Sequence, residues 1–150
     1  MTTLAGIPAH ALLVHAIVVL APMTAGLGIL CAIWPAARRR LVWLVLALSL
    51  GVLALTPLTT EAGEWLYAQS STHSPILQTH AERGDWMKYF SIGLLVMAIA
   101  VAFLHVRSSR SESPKILATV IVTVIALAIG ASVTYGVILI GHSGAEAVWG

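Results

Sequence analysis

The chain has 150 residues, 59% of them hydrophobic and 9% charged, with a formal net charge of +2 and a pI of about 9.0. A soluble domain carries about 25% charged and 45–50% apolar residues, so the composition excludes an ordinary soluble fold. It also argues against a nucleic-acid partner, because the basic residues gather in short turns instead of spreading over a face.

Four apolar segments account for the composition: His10 to Pro35, Leu41 to Pro57, Tyr89 to Val106 and Ile116 to Gly141. Each is near the roughly 17 to 25 residues that a membrane helix needs. They predict one all-α domain over residues 1–150, a four-transmembrane-helix bundle with helices near 9–34, 41–66, 75–106 and 114–142. Nothing sizeable remains for a separate soluble domain.

In chain order, Gly6-Ile7-Pro8 precedes the first helix, with proline where its missing amide hydrogen costs nothing. No basic residue stands before this segment and its apolar run exceeds a signal core, so it reads as a retained helix. Trp34-Pro35 ends it, and the second helix is expected to begin after Arg38, Arg39 and Arg40. Pro57 should bend that helix without ending it, carrying it through Thr59, Thr60, Glu61 and Glu64. Ser74-Pro75 is a cap followed by a first-turn proline. Whether the helix begun there runs on into the third span or breaks at Gly84-Asp85 is open. Ser113-Pro114 repeats the start signal, and Thr119, Thr123, Ala126, Gly130 and Thr134 then give the fourth helix a stripe for close packing. Trp43, Trp65, Trp86, Tyr89 and Trp149 fall near the expected interfaces. No internal sequence repeat is legible.

Orientation follows from the basic residues. Arg38 to Arg40 fill the first turn and Arg107, Arg110 and Lys115 the third, whereas the long middle connection supplies only Arg83 and Lys88. Short loops rich in Lys and Arg stay cytoplasmic, which predicts a multi-pass protein of the bacterial cytoplasmic membrane with both termini extracytoplasmic.

That same outer face collects His10, His15, His80 and His142 with Glu61, Glu64, Glu82, Asp85 and Glu146, while Glu112 is the acid of the inner face. His15 lies more than a turn inside its apolar segment, where an ionisable group normally faces a bundle interior, a cavity or a ligand. Neutral imidazole has a lone pair for haem or a transition metal. His15, His80 and His142 are the first ligand candidates, with Glu61 and Glu64 as carboxylate partners in a metal site. His10 and His15 lie about 140° apart around an ideal helix, so they do not grip one ion together. A haem axial pair would join His15 to a histidine of another helix, with Arg83 and Lys88 available to propionates. The same residues also fit structural roles: capping by His142, an interfacial His10, solvated His73 and His80, Glu61 and Glu64 marking the end of a span, and His105 at the inner boundary.

The single cysteine, Cys31, leaves no intramolecular disulfide and no covalent haem attachment motif. There is no glycine-rich nucleotide loop, zinc-peptidase signature or serine elbow. His142 beside Ser143 does not make a nucleophile, which needs a base and charge stabilisation in one geometry. A conventional hydrolase is disfavoured and no reaction is assigned.

Gly6-Ile7-Pro8-Ala9-His10 with Leu13-Val14-His15 and Pro22, Thr60-Glu61-Ala62-Gly63-Glu64, His80 with Gly84-Asp85, and Gly141-His142-Ser143-Gly144-Ala145 together resemble the bacterial DUF2231 group over nearly the whole chain. The resemblance implies a four-helix membrane domain and carries no reaction. Where members often have proline after the first histidine, this chain has Ala11. The leading expectation is a membrane redox or cofactor-binding module with haem b or a transition metal at the outer face. The alternatives are a structural or assembly subunit, partnered by a second copy or a larger membrane complex, and a small transporter.

Overall fold

The computed structural model describes residues 3–4, 7–71, 74–110 and 116–149. Among them the fold is all-α apart from a two-residue antiparallel pair, β1 (Thr3–Leu4) with β2 (Ile7–Pro8). The helices are α1 (Ala9–Ile33), α2 (Pro35–Ala68), α3 (Pro75–Gly84), α4 (Met87–Ser109) and α5 (Ile116–Trp149). With α3 and α4 taken as one stretch, four helices are long and apolar enough to cross a membrane. Gly6, His73, Glu112, Lys115 and the Ser113-Pro114 start signal lie outside the described residues.

Helix α2 starts at Pro35, not near residue 41. The residue before a proline is pushed out of the helical region. Trp34 accordingly adopts φ −111° and ψ 108° and is the whole connection between α1 and α2, with Pro35 at the first helical position. The arginines thus fall inside α2. Arg38 is buried and donates from Nη1 to the carbonyls of Cys31 and Ala32, both at 3.4 Å. These last-turn carbonyls of α1 have no helical partner of their own, so Arg38 closes one helix while opening the next.

Helix α2 passes through Pro57 as expected. Flanking hydroxyls bond back to their own turns: Thr56 donates to Val52 and Thr59 to Leu55, each at 2.8 Å. Ser74 caps α3, its side chain accepting from the Leu77 amide at 3.3 Å. The chain then breaks lightly, since Asp85 and Trp86 keep right-handed helical angles and the Trp86 amide donates to the Arg83 carbonyl at 3.0 Å. Helix α5 continues past residue 142 to Trp149, where Ala145, Glu146 and Ala147 favour helix.

Around the bundle the order is α1, α2, α4, α5, and α5 closes back on α1. Val45, Val52, Leu94, Met97 and Val101 are fully buried at the centre. Small residues set the spacing: a Cβ at Gly130 would stand 2.6 Å from Ile29 Cδ1, and one at Gly28 2.2 Å from Met97 Cε. The buried face of α5 is Val122, Ala126, Gly130, Val133, Gly136, Val137 and Ser143, with Thr123 and Thr134 only half-buried at its edge. Large apolar side chains such as Val19, Phe103, Leu117 and Val124 face outward, as lipid contact requires.

Candidate functional site

The start of α1, the second half of α2, helix α3 and the end of α5 meet at the bundle end opposite Arg38. Two histidines cross between elements there. His10, in the first turn of α1, donates from Nδ1 to the Thr59 carbonyl of α2 at 3.0 Å. His80, on α3, donates from Nδ1 to the Ile140 carbonyl of α5 at 3.2 Å, with Ser143 Oγ 3.4 Å from the same nitrogen. Each ring lies over a helical glycine: a Cβ at Gly63 would stand 2.8 Å from His10 Cε1, and one at Gly144 2.9 Å from His80 Cε1.

The two rings stand nearly perpendicular, edge to face, with centroids 6.2 Å apart and planes at 78°. Both are half-buried. A carbonyl oxygen has no proton to give, so in each neutral ring Nδ1 carries the hydrogen and Nε2 keeps the lone pair. The pair therefore consists of two bases whose orientations are fixed by backbone from different helices.

Arg83, one turn beyond His80 on α3, reaches α5 through Nη1 to the Leu139 carbonyl at 3.5 Å. Ser143 is fully buried and donates back to Leu139 and Ile140 at 3.1 and 3.0 Å. Its hydroxyl proton is thus held inside α5.

Of the three leading ligand candidates, His15, His80 and His142, only His80 meets another histidine, and its partner is His10. His15 is exposed and its Nδ1 donates to the Ala11 carbonyl of its own helix. The reason is rotational: the ring points out of the bundle, where the nearest acceptor is one turn back, the four-residue neighbour of any helical side chain. His142 is also exposed and pairs with Glu146 at 3.6 Å. Glu61 and Glu64 point outward, and Lys88 lies over the Tyr89 ring at 5.3 Å. Among the described residues no three His, Cys, Asp or Glu side chains converge, so His15, His80, His142, Glu61 and Glu64 are not one cluster. His105 pairs with the Trp43 ring at 6.3 Å.

Sequence reasoning gave no role to Thr59, Ile140 or Ser143 and passed over Gly63 and Gly144 as contacts. Their one sequence signal is a glycine four positions after an unremarkable residue in each of the helices that end at this face.

A model of a family described as "Predicted membrane protein (DUF2231)" matches residues 6–150. No curated protein and no solved structure gives a match.

Proposed function

We propose that this chain, which belongs to the DUF2231 family of predicted membrane proteins, is a membrane redox module that holds haem b through His10 and His80. The observation that carries the reading is the pair itself. His10 and His80 come from different helices with ring centroids 6.2 Å apart, and with each Nδ1 committed to a carbonyl each would have Nε2 to offer to a haem iron, which histidine commonly ligates. A small tetrahedral ion would call for further ligands, and among the described residues no third His, Cys, Asp or Glu joins the pair. The donor set therefore suits a haem better than a small ion.

A haem bound through two histidines supplies one-electron transfer. The chain's own part is to fix the rings: Thr59 and Ile140 accept the Nδ1 protons, which keeps the basic nitrogens on Nε2 and raises their donor strength. Arg83, half-buried next to His80, is the cation best placed for a propionate. The basic residues Arg38 to Arg40 belong to the opposite end of α1 and α2, so the positive-inside rule favours an extracytoplasmic histidine end and extracytoplasmic termini.

A second reading, an assembly subunit, is favoured by one specific observation: each histidine ties two helices together through Nδ1, which is a structural task in itself. Transport is less well supported, because Leu94, Met97 and Val101 fill the bundle centre.

Expression with ample haem, followed by absorption spectra and haem content per folded protein, separates the two. The parent should carry haem, His10→Ala and His80→Ala should each lose it, and His15→Ala and His142→Ala should keep it. A well-folded parent without haem under good supply would transfer the assignment to the subunit reading.

A further inference from the structure

We infer that Gly63 and Gly144 are the positioning residues of this site, and that each half of the chain contributes one copy of the same device. The inference deepens the His10–His80 reading and rests on it only for its optical readout. In an α-helix every Cβ leans toward the N-terminus, so a side chain covers the turn before its own Cα. The residue four positions on thus shields a helical carbonyl from sideways approach. Thr59 and Ile140 are followed four positions later by Gly63 and Gly144, and each of their carbonyls accepts a histidine from another helix.

The fit is close in both copies. A Cβ at Gly63 would lie 2.8 Å from Cε1 and 2.9 Å from Nδ1 of His10, and one at Gly144 2.9 Å and 3.2 Å from the same atoms of His80. The atoms met belong to rigid rings held at Nδ1, so no flexible tip is free to move aside. Gly26, Gly51, Gly84 and Gly141 have nothing within 4 Å of an added Cβ, which separates these two glycines from neighbours of the same type. The same arrangement relates α1 with α2 to α3 with α5, and the two copies meet where the rings stand edge to face.

The test reads the tautomers directly. Nitrogen-15 spectra of histidine-labelled protein in detergent, without haem, should report Nδ1–H for His10 and His80 in the parent. Gly63→Ala should disturb His10 alone, Gly144→Ala should disturb His80 alone, and Gly141→Ala neither. With haem supplied, Gly63→Ala and Gly144→Ala should each hold it about 10- to 100-fold more weakly, with Gly141→Ala unchanged. Another tautomer in the parent overturns the inference without any variant, and so do unchanged tautomers in both alanine variants. A parent that takes no haem but shows the expected nitrogen shifts sinks the haem reading and leaves the glycine inference standing.

Discussion

The two histidine contacts are alike in geometry and unequal in support. His10 stands on the first turn of α1, a helix whose later residues Ala21, Thr24, Ala25, Cys31 and Ala32 are buried against its neighbours. One carbonyl, that of Thr59, is enough to orient it. His80 stands on α3, a ten-residue helix with no buried residue. There the contacts multiply: Ile140 and Ser143 hold the ring, and Arg83 reaches Leu139. A short helix with no core cannot be placed by apolar burial, so polar contacts to α5 take over that task. Both rings are oriented by a carbonyl, but the helix that carries His10 is placed by packing and the helix that carries His80 by hydrogen bonds.

The largest effect is expected where the halves join. Gly130 faces Ile29 and Ala25 of α1, so Gly130→Leu should force α1 and α5 apart at a cost of about 1–3 kcal/mol or more. Thermal unfolding in detergent would register this as a lower midpoint, with loss of the His10–His80 contact. An unchanged midpoint would mean that the halves do not meet through this face.

His80→Ala should come next and sharpens the contrast itself. It should cost roughly 1–2 kcal/mol and expose residues 75–84 to amide exchange, whereas His10→Ala should leave exchange in α1 beyond its first turn nearly unchanged. Equal local exposure in the two variants would break the distinction between packing and hydrogen bonding. The smallest effect belongs to Ser143→Ala, which removes the contact that only the second half has. A loss of about 0.6 kcal/mol is expected, together with faster exchange across α3 and none across the start of α1.

Much of this was fixed along the chain. Length and hydropathy define the four spans, because a bilayer offers the backbone no hydrogen bonds and accepts only long apolar helices or closed barrels. Ser74-Pro75 marks the start of α3 and Pro57 lies inside α2, both as the local sequence predicts, since caps and tolerated prolines are local matters. The place of the first turn was less legible: Trp34-Pro35 makes it, while the arginines that suggested it lie inside α2.

The site was legible as a set of residue types at one end of the molecule, and not as a contact. Depth in the apolar run drew attention to His15, but depth says nothing of rotation, and that ring faces away from the bundle. What put His10 against Thr59 and His80 against Ile140 is the facing of helices distant in sequence, and the missing side chain at Gly63 and Gly144. The sequence by itself determined the membrane spans and the end at which histidines gather, because burial of apolar length and local capping act within a segment. Which two histidines meet was decided only in the tertiary structure, because a helical carbonyl becomes an acceptor for a distant ring only where packing brings that ring over a turn left bare by glycine.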